Sequence, residues 1–409
     1  MDKTADSQPP PPDTPLASTD AAAEERHASW IELFFDLVVV AGIGALAHLL
    51  HGAGSLLDIA VYVVLYLAFW TAWADFAMYG NVAGDRTRTM SMLMAMVLLA
   101  VMVAAVPEVR GKHATAFALA YVGLRFLADR MWRRGQVVVD WPLVQLGFGT
   151  VPWAVSVFLD APWRYVLWGT GVGVDLVVMF AVSGTRVLND AQERMEHLRQ
   201  AAPKKAAGME ISALHSDTPH LAERLGLYAI IVLGEGLIQV IDAASEAAWD
   251  AALGGVAAGA FTLLVAVWTL SVRYGYAAVP HLSPARLPVR IAMGLHCFTT
   301  GALAVLATGL GLAVAHPHGE LPGHVRWLLC AAMAFYFAVT AATTALLKAG
   351  AQWLLSPAAV CTLAPLVIGA AGGGLGAVPL VWALAAVAYW QVLSLFLPLL
   401  QQRWRSHRR

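Results

Sequence analysis

The chain has 409 residues, 59% hydrophobic and 13% charged, with a mean hydropathy of +0.65. Soluble domains carry about 25% charged residues, so charge is depleted by roughly half, which excludes an ordinary cytosolic enzyme, a collagen-like repeat and a chain disordered throughout. A net charge of −1 points to no nucleic-acid partner, and Cys297, Cys330 and Cys361 form neither a CxxC pair nor a disulfide framework. What remains is an all-α polytopic membrane protein, with the lipid bilayer as its first partner.

Residues 1–27 are polar, with Pro9 to Pro12 in a row and no apolar stretch of the signal-peptide kind, and are expected to form a disordered cytosolic tail. Apolar runs able to cross a bilayer need about 20 residues each. Such runs fall near 30–50, 57–79, 89–106, 114–130, 137–158 and 164–183. After a polar interval, six more lie near 222–243, 248–272, 287–314, 325–347, 352–371 and 377–399. Twelve transmembrane helices are therefore predicted, in a first membrane half over 28–185 and a second over 221–400. A cytosolic linker at 186–220 and a basic cytosolic tail at 401–409 complete the chain.

Orientation follows from the basic residues. With the N-terminus in the cytoplasm, 20 of the 26 Lys and Arg residues lie on the cytoplasmic side and four on the other. Both termini are thus expected in the cytoplasm, with the protein in the plasma membrane. The halves also align as a parallel repeat. Glu32 matches Glu223, Trp70-Thr71 matches Trp268-Thr269, and Arg88 matches Arg290, which leaves Asp75 opposite Arg273.

Ionisable side chains inside the runs carry the functional argument, because a charge at the bilayer centre costs about 3 kcal/mol or more. Glu32 and Asp36 stand four residues apart on one face of the first helix. Two carboxylates that close call for a cation, a basic partner or a proton. On the seventh helix Arg224, Tyr228, Glu235, Gln239 and Asp242 occupy one sector of about 60°. Lipid cannot satisfy such a stripe, so it must face the bundle interior or a water-filled path. Arg224 lies about 16 Å along the axis from Glu235, too far to neutralise it, so Glu235 calls for a bound cation, a proton or a partner from another helix, for which His296 and Asp175 are the candidates. Asp75 is expected to pair with Arg273, and Arg125 to reach the cytosolic face beside Asp129. For each of these groups a purely structural hydrogen bond or ion pair is the plain alternative.

No nucleophile motif, phosphate loop or catalytic constellation is present. His316, His318 and His324 share a loop, but HxH without a thiol or carboxylate is a poor metal site, so neither a metal nor a cofactor is expected.

Two stretches resemble a known family. Glu32-Leu33-Phe34-Phe35-Asp36-Leu37-Val38, preceded by Arg26, is similar to the opening motif of the bacterial low temperature requirement A (LtrA) family. His220-Leu221-Ala222-Glu223-Arg224-Leu225-Gly226-Leu227, running into Val232-Leu233-Gly234-Glu235, resembles that family's second signature, and Arg290 with His296 also fits. The resemblance covers roughly residues 25–400 and implies a multi-pass inner-membrane protein without supplying a substrate.

The expectation is a secondary transporter or ion-coupled permease. Asp36, Asp175, Glu235, Gln239 and His296 would form the site for protons, a cation or a polar substrate. Glu32, Asp75, Glu223, Arg224, Arg273 and Arg290 would serve as counter-charges or structural groups. A membrane-embedded enzyme acting on a lipid or isoprenoid, and a sensor or scaffold without catalysis, are the rivals. Substrate and oligomeric state are not legible.

Overall fold

A computed structural model describes residues 27–51, 55–132, 135–144, 146–206, 209–276, 287–346 and 357–406. Residues 1–26 of the tail predicted at 1–27, along with Arg286 and Lys348, lie outside them. The first half comprises α1 (Trp30–His51), α2 (Leu56–Ala83), α3 (Thr89–Ala105), α4 (Ala114–Arg130), β1 (Gln136–Val138), α5 (Thr150–Ser156) and α6 (Trp163–Ala181). The linker holds α7 (Gly184–Ala201), α8 (Pro203–Ala206) and β2 (Ser212–Leu214). The second half comprises α9 (Thr218–Glu246), α10 (Ala251–Trp268), α11 (Val289–Ala315), α12 (Gly323–Leu346), α13 (Pro357–Ala371) and α14 (Ala377–Ser406). A π-helical turn, Thr269–Arg273, extends α10.

Helix starts follow local chemistry. Ser55 and Asp58 form a capping box on α2: the Asp58 amide donates to Ser55 Oγ at 3.3 Å and the Ser55 amide to Asp58 Oδ2 at 2.8 Å. Asp217 caps α9 by accepting from the His220 amide at 3.3 Å. Asp250 caps α10 through the Leu253 amide at 2.9 Å. That amide, with His318, holds its carboxyl below the usual carboxylate range.

Among the described residues, nine helices are long and apolar enough to cross a membrane. Their outward faces carry exposed Leu37, Val63, Leu93, Val97, Ile238 and Phe261, far more exposed apolar surface than a soluble monomer shows. Exposed Trp30 stands at the end of the bundle where α1 begins, and exposed Trp163 and Trp249 at the other, as in an interfacial aromatic belt. The most enclosed of the nine is α11. Its glycines admit neighbours closely: a Cβ at Gly301 would lie 2.9 Å from the Tyr66 ring.

The apolar run at 137–158 departs from expectation. It is no single helix but strand β1, two 3-10 turns (Pro142–Val144 and Gly147–Gly149) and the seven-residue α5. Pro142, Gly147, Gly149 and Pro152 interrupt any continuous helix there. The segment nevertheless runs the length of the bundle. At one end a Cβ at Gly184 would meet the Val139 carbonyl at 1.7 Å. At the other, Tyr165 Oη donates to the Arg110 carbonyl at 3.1 Å. β1 pairs in parallel with β2, Val137 opposite Ala213, and so clamps the linker to the first half. Asp140 adds to the clamp by accepting from the Ser216 amide at 2.7 Å and its hydroxyl at 2.9 Å.

Candidate functional site

Two buried charge clusters lie in the half of the bundle nearer the start of α1. The first joins α1 to α9. Glu32 and Asp36, one turn apart on α1, both face Arg224 near the start of α9, and all three are at most 1% exposed. Arg224 Nη1 donates to Glu32 Oε1 at 3.3 Å, and Nη2 donates to Asp36 Oδ1. Trp73 of α2 donates its indole N–H to the same Asp36 oxygen at 2.7 Å. Ser29 donates its amide and hydroxyl to Glu32 Oε2 at 2.9 and 2.8 Å, and His220 Nε2 lies 3.5 Å from that atom. Asn81 of α2 lies 3.0 Å from His220 Nδ1 and exchanges two 2.8 Å hydrogen bonds with the Asp217 backbone.

The second cluster joins α2, α4 and α6. Arg125 is not at the cytosolic face with Asp129, as expected, but buried, with Nη1 3.2 Å from Asp75 Oδ2 and Nη2 3.3 Å from Asp175 Oδ1. Asp129 is exposed. Trp141, in the irregular segment, donates its indole N–H to Asp75 Oδ1 at 2.7 Å, and Tyr121 donates to Asp175 Oδ2 at 3.4 Å. The pairing expected between Asp75 and Arg273 is therefore not made: Arg125 holds Asp75, while Arg273 is exposed.

The clusters are alike in make-up: one guanidinium, two carboxylates, one indole on an aspartate. Trp70 lies between them, its ring centre 6.1 Å from those of both Trp73 and Trp141. An indole N–H only donates, so this aromatic bridge carries no proton chain. It spaces the two clusters with apolar material. One guanidinium against two carboxylates leaves each cluster one negative charge in excess if both acids ionise. In the first, Asp36 Oδ2 is buried with no hydrogen-bond partner. Such an atom calls for a proton or a bound cation.

The stripe on α9 faces inward at its start and runs outward towards its end. Arg224 and Tyr228 are buried, Glu235 and Gln239 half-buried, and Asp242 exposed. Gln239 Nε2 donates to Glu235 Oε1 at 3.3 Å, and Glu235 lies against Gly44 of α1, where a Cβ would meet Oε1 at 2.5 Å. Among the described residues no basic group pairs with Glu235. His296 is fully buried, its Nε2 3.1 Å from the Leu225 carbonyl and its ring stacked on Trp73 at 5.8 Å. The four groups expected on one cavity thus separate: Asp36 and His296 flank Trp73, Asp175 belongs to the Arg125 cluster, and Glu235 stands with Gln239. Asp175 and His296, the dyad an enzyme would need, are in different networks. Glu223 is half-exposed, 3.4 Å from His27, and Arg290 donates to the Val182 carbonyl at 2.5 Å.

Sequence reasoning missed Trp73, Trp141, Tyr121, Asn81 and His220 as partners and misplaced Arg125. The one available signal was an arginine five residues inside α4, deep enough to need acidic neighbours.

Known proteins place these clusters in context. An uncharacterised protein of Rhizobium meliloti (strain 1021) is 26% identical over 231 residues, and the match covers 53% of this chain and 51% of that protein. The chain thus spans about half the length of this relative. No solved structure matches. The family model described as bacterial low temperature requirement A protein (LtrA) matches residues 27–394. Nearly all of the described bundle falls within that match, both charge clusters included, and the chain belongs to the LtrA family.

Proposed function

We propose that this protein is an ion-coupled permease of the plasma membrane. It crosses the bilayer twelve times in two like-oriented halves, with both termini in the cytoplasm and segment 139–159 as a broken crossing. The carrying observation is the buried Glu32–Asp36–Arg224 cluster, whose carboxylates come from the first helix of one half and whose guanidinium comes from the first helix of the other. Rocking of one half against the other would open this cluster, and the excess carboxylate supplies a place for a coupling proton or cation. Glu235, half-buried between α1 and α9, extends the polar path towards the opposite face.

The test is ion flux into liposomes holding the full-length protein and an internal pH dye, with potassium and valinomycin setting the potential. The wild type should collapse an imposed pH gradient faster than protein-free vesicles, or do so once a sodium gradient is applied. The Asp36→Asn variant, with unchanged elution and melting behaviour, should lose at least about tenfold of that rate. A wild type that moves neither ion, or a folded Asp36→Asn variant with full flux, would overturn the proposal.

A further inference from the structure

The turn from α2 to α3 carries a feature unrelated to the two buried clusters. A cavity of about 140 Å³ opens there, lined among others by Tyr79, Arg86, Arg88, Trp132 and Gln136. It lies at the end of the bundle where α1 begins. Among the described residues neither Arg86 nor Arg88 has an acidic partner, and both are exposed. Trp132 stands edge-on to Tyr79 at 5.4 Å, and its indole nitrogen is buried without a hydrogen-bond partner. The Tyr79 hydroxyl accepts from the Arg88 amide at 3.3 Å, which fixes the backbone at the start of α3 beside the cavity.

Two guanidiniums with no acidic partner among the described residues line one small cavity walled by the Trp132 and Tyr79 rings. We propose that this cavity binds a phosphate-type oxyanion. Guanidinium groups match tetrahedral oxyanions through paired N–H donors. The chemistry is shared by an anionic lipid headgroup and a free phosphate compound. Exposed Met90, Leu93, Met94 and Val97 continue from Arg88 along α3, so a lipid held here by its phosphate would have an apolar helix face for its acyl chains. The inference is independent of the permease reading, since no residue of either buried cluster lines the cavity.

The experiment has two arms, both on the full chain in a zwitterionic detergent. One titrates inorganic phosphate by calorimetry. The other counts bound lipid by native mass spectrometry after mixing with phosphatidylglycerol or phosphatidylcholine. Expected is one retained phosphatidylglycerol, or saturable phosphate binding, that weakens at least about tenfold in the Arg86→Gln/Arg88→Gln variant. The gentler single Arg88→Gln change, at an exposed position, should weaken binding severalfold and keeps the question answerable if the double variant misfolds. Binding in the lipid arm alone assigns the site to a headgroup, and binding in the phosphate arm alone to a soluble ligand. No binding of either probe, or binding that ignores these substitutions, would overturn the proposal.

Discussion

At the scale of single residues, Arg125 is the side chain the fold can least spare. It is the one guanidinium between Asp75 and Asp175, and its side chain and both of theirs are 3% exposed. Removing one partner of a buried ion pair costs about 3–5 kcal/mol, because the charge left behind stays buried. Arg125→Leu strands two carboxylates at once and should lie at or beyond the top of that range, seen as loss of folded protein or a large drop in denaturation midpoint. Asp75→Asn leaves Arg125 paired with Asp175 and should cost about 2 kcal/mol or less. If the two variants melted alike, the shared-arginine account of this cluster would fail. The same pair shows what was legible. Composition and depth identified Asp75, Asp175, Glu32, Asp36 and Arg224 as charges needing partners. The partners themselves were hidden, because Arg224 meets Glu32 across 192 residues of chain and no local spacing encodes that contact. Asp75 was matched to Arg273 through an assumed repeat, whereas a nearer arginine, one helix pair along, neutralises it.

At the scale of elements, the broken segment and the glycines around it decide how close the helices come. A Cβ at Gly149 would lie 2.2 Å from Asp175 Oδ1 and 2.6 Å from the Gly171 carbonyl, and one at Gly171 would meet the Gly149 carbonyl at 2.5 Å. Backbone cannot yield as a flexible side-chain tip can, so Gly149→Ala should separate α6 from the 3-10 turn and disturb Asp175, at a cost of about 1–3 kcal/mol for overpacking. Gly173→Ala is the control. Nothing lies within 4 Å of its added Cβ, and replacing a mid-helix glycine by alanine should be neutral or stabilise by about 0.5–1 kcal/mol. Thermal melts of the two purified variants should move in opposite directions, and equal losses would show that the close approach is not at Gly149. Gly169 and Gly173, four residues apart, are the small-residue pair that spacing alone would mark on α6. Small-residue spacing marks where helices could approach, but tertiary packing chose Gly171, which faces the 3-10 turn at Gly149 and Trp153 of α5. The same reasoning read 137–158 as a helix because hydropathy averages over Pro142, Gly147, Gly149 and Pro152. Apolar character was legible, and the irregular backbone was not.

At the scale of the whole molecule, the irregular segment that runs the length of the bundle sets which face each later loop reaches. Irregular backbone at membrane depth is tolerated only where protein or a water-filled cavity surrounds it. In segment 139–159 Trp141 and Trp153 are fully buried and Trp153 stacks on Trp168 at 5.0 Å, while the exposed turn at Gly147 and Phe148 borders a cavity of about 340 Å³. A crossing there sends Asp160 to the face opposite the end of α4, while α7, past one more helix, returns to the side of the N-terminus. The three native cysteines are buried, so introduced thiols can be read against a low background. Asp160 has a fully exposed side chain, and Ser245 and Gln192 are exposed as well. In intact spheroplasts a membrane-impermeant maleimide should label the Asp160→Cys and Ser245→Cys variants, and should label Gln192→Cys only after permeabilisation. Labelling of Gln192→Cys in intact spheroplasts, or of Asp160→Cys only after permeabilisation, would overturn this crossing. The labelling of one loop residue therefore decides whether Arg224 and the Glu32–Asp36 pair belong to halves able to rock together about an axis normal to the membrane, as the permease reading requires.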